Sequence, residues 1–449
     1  MGDPKKAIIK LSLPMMVAMS IQTIYNIVDA IWVSGLGADA LSAVGFFFPF
    51  FFMMNAMATG IGIGGGSAIS RRIGARDKKG ADTVAAHTLV IMVMVAVAFA
   101  IPFFIFARDI FAAMGAGAIT DSATQYGRVI VAGSIIIFFS NVSNALLRGE
   151  GDATRSMYAL MTGAVLNIIL DPIFIYTLKM GVAGAAVATV LSMAVASLIL
   201  FNWIFIKKDT YVSVSLRGFR FQRKVIKEIV KVGLPSAISQ LSMSFSMLFL
   251  NVIVVKAGGT DGVAVFTTGW RVATLASMPL MGIATAVTAV TGAAFGSSDY
   301  KKLDTAYLYA VKIGIVIEVI VATATYGLAP YITMLFTLSQ DAARISQDLI
   351  TFLRIMCFYY PVVSWGMLSS AMFQGTGRGT SALIMTIFRT IVLAAPLAYT
   401  FSLVMGMGLR GVWLGIVAGN ITGATTAFAW GRLYVRGLKK RSAKPLVNG

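Results

Sequence analysis

The chain has 449 residues, of which 58% are hydrophobic and only 12% charged, with a mean hydropathy of +0.83. A soluble protein carries about 25% charged residues, so too few polar side chains remain to cover a water-facing surface, and the solvent is mostly lipid. One cysteine (Cys357) and one histidine (His87) exclude a disulfide framework and speak against a His/Cys metal site. The net charge of +19 suggests nucleic acid only until the basic residues are placed.

The opening MGDPKK has no signal-peptide layout, and Lys6 stands where a myristoylation pattern needs Ser or Thr. A helix needs about 20 mostly apolar residues to cross the hydrocarbon. Twelve stretches qualify: 12–34, 43–68, 84–106, 124–146, 157–178 and 181–205, then 230–256, 263–294, 306–328, 347–373, 381–403 and 411–434. The second six repeat the first. KLSLP at 10–14 recurs as KVGLP at 231–235, GARDKKGADT at 74–83 as GSSDYKKLDT at 296–305, and LRGEGDATRS at 147–156 as FQGTGRGTSA at 373–382. The fold class is therefore an all-α integral membrane protein of twelve spans in two six-helix repeats. Six is even, so both halves insert the same way up, related by an axis along the membrane normal.

The predicted organisation is an N-lobe at 1–205, a linker at 206–229, a C-lobe at 230–434 and a basic tail at 435–449. With both termini on one side, that side receives 27 of the 37 Lys and Arg and the other only 5. This positive-inside split puts the N- and C-termini in the cytoplasm. The basic linker, interleaved with Phe219 and Phe221, suits a strip on anionic headgroups. RNA binding would need a soluble module around it, so no nucleic-acid partner is expected.

No GxxxxGK[ST] occurs, which leaves no ATP engine. The GxGxxG-like run at 60–68 (GIGIGGGSA) lies inside a span, where small residues let helix backbones approach or bend rather than cradle a dinucleotide. No Ser/His/Asp or Cys/His set is present, so an enzyme reading has nothing to stand on.

Ionisable groups in hydrocarbon cost several kcal/mol unless paired, protonated or wet, so each one poses a functional question. Asp29 lies midway along span 1, with Gln22, Tyr25 and Asn26 on the same helical face. Asp171 repeats the arrangement on span 5, one turn after Asn167 and just before Pro172. Asn141 and Asn144 on span 4 and Thr189 on span 6 can complete a polar pocket. The repeat partner of Asp29 is Asn251, and the partner region of Asp171, Ala394–Pro396, has no acid. The ion chemistry therefore belongs to the first half. Two carboxyls in one low-dielectric cleft cannot both ionise easily, which suits a proton carrier; with amide and hydroxyl oxygens around them they suit Na⁺ equally. The bland alternative is polar glue between helices.

Glu318 on span 9, Arg354 on span 10 and Arg389 on span 11 read as a buried ion pair or triad in the second half, with ion or substrate binding as the other reading. Arg128, Arg271 and Lys312 lie near span ends and snorkel; His87 and Cys357 read as packing residues.

KLSLPMM on span 1, VDAIWVSGLGADALSAVG through the first loop, LRGEGDATRS after span 4 and LDPIFIY on span 5 resemble the multidrug and toxic compound extrusion (MATE) family. The resemblance runs from about Lys5 to about Arg432 and is nearest to the DinF-like branch of archaeal type. It implies a V-shaped transporter with a central cavity. Asp29 and Asp171 then match the cation-coupling acids, and Gln22, Tyr25, Asn26, Tyr126, Asn144, Asn167 and Thr189 match the network around them. Pro14 matches the proline at which span 1 bends. The family's other branch uses acids on spans 7 and 10, which are absent here.

The resulting expectation is an antiporter of the inner cell membrane, coupled to H⁺ or Na⁺, that exports amphipathic, cationic organic compounds by alternating access. No cofactor or resident metal is expected, apart from Na⁺ at Asp29, Asp171, Asn167 and Thr189 if sodium is the coupling ion. The partners are small molecules and membrane lipids, and the chain is expected to be a monomer. The rivals are a lipid or lipid-linked-sugar flippase of the same superfamily, and a non-transporting scaffold or receptor.

Overall fold

The computed structural model describes residues 2–215, 217–337 and 343–443. The end of the basic tail, 444–449, lies outside the described residues. Among those described, helix is the only regular secondary structure. Lipid offers no hydrogen bonds, so a spanning backbone has to satisfy itself.

The helices are α1 (Pro4–Ser34), α2 (Ala38–Gly74), α3 (Lys78–Ala113), α4 (Thr120–Ala132), α5 (Ser134–Glu150), α6 (Ala153–Pro172) and α7 (Gly181–Phe201). They continue with α8 (Arg223–Ala276), α9 (Met278–Gly296), α10 (Tyr300–Phe336), α11 (Ser346–Met356) and α12 (Tyr359–Gly375). The chain closes with α13 (Gly379–Ile387), α14 (Ala395–Tyr399) and α15 (Gly408–Ala443). Among the described residues, ten helices are long and apolar enough to cross a membrane, and two bent pairs raise the number to twelve.

Those bent pairs are spans 4 and 10, read as single stretches in the sequence. Span 4 bends by 49° between α4 and α5, and span 10 by 48° between α11 and α12. At the first break stands Gly133, whose Cα faces Val190; a methyl group there would meet the valine at 2.6 Å. At the second, Pro361 sits in the first turn of α12, where its missing N–H leaves no helical bond unmade. The chain turns from span 7 to span 8 within α8, at Gly259 (φ 59°).

Two compact units result, one of Val17–Ala237 and one of Met1–Met16 with Ile238–Gly449. Both boundaries fall two residues after a helix proline, Pro14 in α1 and Pro235 in α8.

The internal repeat is visible atom by atom at the loops. Arg76 and Ser298 both take a positive φ, and the aspartates that follow them cap the next helices. Asp77 accepts from Gly80 N–H at 2.8 Å, and Asp299 from Lys302 N–H at 3.0 Å. The Gly80 amide and then Arg72 hold the Asp77 carboxyl below the usual carboxylate range. Gly151 (φ 96°) and Gly377 (φ 79°) end α5 and α12 alike. There the next residue differs: Asp152 caps α6 through Arg155 N–H at 3.0 Å, whereas Arg378 begins α13 without a side-chain cap. Spans 5 and 11 also end alike, in π-helical turns at Ile173–Thr177 and Thr400–Val404.

The linker is docked on its own unit. Val212 N–H donates to Glu150 (2.9 Å) and Ser213 N–H to Asp82 (2.7 Å). His87 donates from Nδ1 to the Thr83 carbonyl at 2.8 Å and accepts Gln222 N–H on Nε2 at 2.9 Å. The Phe219 ring lies 4.7 Å from the imidazole. Phe219 therefore packs on protein rather than on headgroups, and only Phe221, 61% exposed, faces outward. Glu228 at the start of α8 pairs with Arg71 (3.2 Å) and Arg72 (2.9 Å) at the end of α2.

The glycine run of α2 explains itself by contact. A Cβ on Gly62 would meet Ala145 of α5 at 2.7 Å, on Gly64 the Ile229 carbonyl at 2.5 Å, and on Gly66 the Ala145 carbonyl at 2.7 Å. Backbones come this close only where side chains are absent. Gly66→Ala is expected to cost about 1–3 kcal/mol through overpacking, seen as a lower thermal midpoint of the purified protein. Gly45→Ala, on the same helix with nothing within 4 Å, is expected to leave the midpoint unchanged.

Candidate functional site

Four helices of the Val17–Ala237 unit converge on Asp29 and Asp171. A residue spacing of three, four and seven puts Gln22, Tyr25, Asn26 and Asp29 on one side of α1. In α6, Asn167 and Asp171 are one turn apart and both buried, Asp171 completely. α7 supplies Thr189 and Ser192, and α4 supplies Tyr126.

Asn167 organises the centre. Its Nδ2 donates to Asp171 Oδ1 at 3.1 Å and to Thr189 Oγ1 at 3.4 Å. Thr189 Oγ1 donates to the Ala185 carbonyl at 3.0 Å, and Ser192 Oγ to the Thr189 carbonyl at 2.9 Å. The Asp29 carboxyl reaches across from α1 to interact with that of Asp171. The Tyr25 hydroxyl meets Thr189 and stands near both acids, and Tyr126 faces Asp29, Tyr25 and Asp171. The Tyr126 ring is held edge-on against Phe47 at 5.5 Å. Two buried oxygens, Asp171 Oδ2 and Asn167 Oδ1, have no hydrogen-bond partner. Beside them is a cavity of about 40 Å³, lined by Gln22, Tyr25, Ser140, Asn167 and Ser192 among others, room for two or three water molecules. Two acids, an amide oxygen and hydroxyls next to a water-sized cavity can bind a proton or hold a small hard cation.

Not every predicted residue joins this group. Asn26 is exposed. Asn144 bonds elsewhere: it donates to the Ser140 carbonyl at 2.8 Å and accepts from Ser156 Oγ at 3.0 Å, which in turn accepts from Arg148 at 3.2 Å. Asn141 donates to the Ile137 carbonyl at 3.0 Å. Pro14 lies inside a continuous α1. Ser140 and Ser192, which line the cavity, escaped the sequence reading because lone serines in apolar helices carry no spacing signal.

The second group does not form the expected ion pair. Glu318 is fully buried with both carboxyl oxygens unpartnered, and Arg389 Nη1 is unpartnered as well. Arg354 places its guanidinium over the Tyr326 ring, 5.2 Å from the centroid. The three side chains stand on different helices, and helical spacing fixes which face each occupies, not whether the faces meet.

Comparison with known proteins gives this arrangement a family. The MatE family profile matches residues 14–173 and 235–400, most of the chain. The chain belongs to the MatE family. Multidrug export protein MepA of Staphylococcus aureus is 27% identical over 424 residues, covering 93% of this chain and 91% of that protein. MATE solved in a straight conformation is 51% identical, covers 98% of both chains and superposes with a TM-score of 0.95. In a bent conformation it is again 51% identical, with a TM-score of 0.93 over 99% of this chain and 98% of that one. A MOP-superfamily transporter from Pyrococcus furiosus is 52% identical, with a TM-score of 0.94 over 98% of this chain and 97% of that one. It is described as having a binding pocket of reverse polarity that suggests a different function. This MatE-family chain is a multi-pass membrane transporter and not an enzyme.

If the acids are functional rather than structural, removing one carboxylate should not weaken the fold. Asp171→Asn is expected to keep or raise the thermal midpoint, because one costly buried carboxyl goes and the contact with Asn167 is retained. Asn167→Leu strips the donor from both Asp171 and Thr189 and is expected to cost about 1–3 kcal/mol. Equal losses in the two variants would mean that the acid is glue.

Proposed function

We propose that this transporter is a cation-coupled antiporter of the inner membrane that exports amphipathic, cationic organic compounds, with Asp29 and Asp171 as its coupling acids. The observation that carries the reading is their meeting from two different helices, with Asn167, Thr189 and Tyr25 in contact and a water-sized cavity alongside. One captured H⁺ or Na⁺ halves the charge of a site that two bare carboxylates would strain. Because Asp29 belongs to α1 and Asp171 to α6, ion binding draws these helices together and ion loss releases them. That is a differential interaction on which alternating access can run.

Pro14 is the bend at which α1 responds, a reading supported by the straight and bent conformations of a half-identical relative. Multidrug substrates are inferred from MepA. The acids on spans 1 and 5 assign the chain to the DinF-like branch, archaeal type. The excess of Lys and Arg in alternate loops puts both termini in the cytoplasm. The chain works as a monomer surrounded by membrane lipids.

A second reading is export of a lipid or lipid-linked sugar; the different function suggested for the Pyrococcus furiosus relative supports a cargo other than drugs, without naming one.

The deciding experiment is dye transport in proteoliposomes under a proton gradient and a Na⁺ gradient imposed separately. Asp29→Asn and Asp171→Asn are each expected to cut gradient-driven efflux at least about tenfold, the effect of losing about 1.4 kcal/mol of coupling. Folded protein yield should stay the same. Wild-type efflux by either variant at matched expression defeats the coupling role, and transport driven by neither gradient moves lipid export to the front.

A further inference from the structure

The unit of Met1–Met16 and Ile238–Gly449 contains its own buried acid, which the proposed coupling does not use. Glu318 lies on α10 with no exposed surface, and neither carboxyl oxygen has a hydrogen-bond partner. One turn earlier on the same helix, Gly314 packs against α12; a Cβ there would lie 3.3 Å from Ser364 Cβ. Tyr360, one turn before Ser364 on the same face of α12, has its hydroxyl within electrostatic reach of Glu318. The Tyr360 hydroxyl and Ser364 Oγ are both fully buried, and both lack a partner. An acid and two hydroxyls, on two packed helices, are thus buried with open hydrogen-bonding capacity. Buried groups in that condition cost about 1–3 kcal/mol each, and each calls for an explanation.

Charge balance narrows that explanation. Around Glu318, Tyr359 and Tyr360 stand on α12, and Tyr359 also feels Arg389. The Arg389 stem is held against Gly423 of α15, and its Nη1 makes no bond. α9 contributes no titratable side chain. Arg354 of α11 is engaged with Tyr326, and Arg432 of α15 with Asp304. No cation is therefore paired with Glu318 among the described residues. One carboxylate with two neutral hydroxyls is a poor cage for a metal ion, which needs several oxygens at short distance, but it is a sufficient site for a proton. Protonation removes a buried charge that no neighbouring cation offsets.

We propose that Glu318 is a proton-binding site of this transporter, in the buried space where α10 packs against α12. The reaction is simple protonation of the carboxylate by water-borne H⁺, with no other bond made or broken. The proposal does not depend on the role given to Asp29 and Asp171.

The test is pH-jump difference infrared spectroscopy of the full chain in lipid vesicles. Acidification of the wild type is expected to produce a carboxylic-acid C=O band that Glu318→Gln removes. The same band is expected to persist in Asp29→Asn/Asp171→Asn, and to shift in frequency in Tyr360→Phe, which keeps the ring and removes a nearby hydroxyl dipole. The band shift in Tyr360→Phe carries the test by itself if Glu318→Gln does not fold. A band that survives Glu318→Gln, or one that vanishes with the two aspartates, overturns the proposal. So does a site that responds to Na⁺ at fixed pH instead of to protons.

Discussion

Hydrocarbon offers a backbone amide or a carboxyl nothing to bond to, and the architecture follows from that shortage. It forces the chain into helices and drives the basic residues to the ends of spans. It also makes each polar side chain that stays inside conspicuous. Asn167 shows how closely the shortage is managed: one amide group serves an acid on its own helix and a hydroxyl on the next. What remains unserved is one oxygen on each of two neighbours, Asp171 Oδ2 and Asn167 Oδ1.

The two halves descend from one plan and have diverged in their chemistry. Their loops still share positive-φ turns, aspartate caps and π-helical ends, down to the same backbone bonds. The polar interiors do not match. One half brings two carboxyls into contact; the other holds a lone acid among hydroxyls. Even at the loops, Arg378 has replaced the cap that Asp152 provides. The backbone turn is thus shared where the side chain that caps it is not.

Much of this was legible in the sequence. The twelve spans and the repeat are written in apolar runs and in the residues that bound them. Asp29, Asp171, Asn167 and Thr189 were legible because a polar residue in an apolar run stands out. What escaped depends on rotation and on contact between helices. Gln22 and Asn26 share a face of α1, yet one lines the cavity and the other is exposed. Asn144 donates to the Ser140 carbonyl one turn away, but its amide oxygen is taken by Ser156 and not by the cavity. Glu318, Arg354 and Arg389 looked like an ion cluster because the pattern gives charge without orientation. The break at Gly133 was hidden for the same reason, since its cause is Val190 on another helix.

His87 has a use that lies outside transport. It is the only histidine of the 449 residues, and its ring joins α3 to the linker through the Gln222 amide and the Phe219 ring. Its imidazole resonances in a magnetic resonance spectrum therefore arise from one known place, without need for assignment or for an attached label. Aromatic ring currents fall off steeply with distance, so those signals follow the seating of Phe219 directly. The chain thus carries a built-in reporter of whether its linker is docked, readable in the unmodified protein while it turns over.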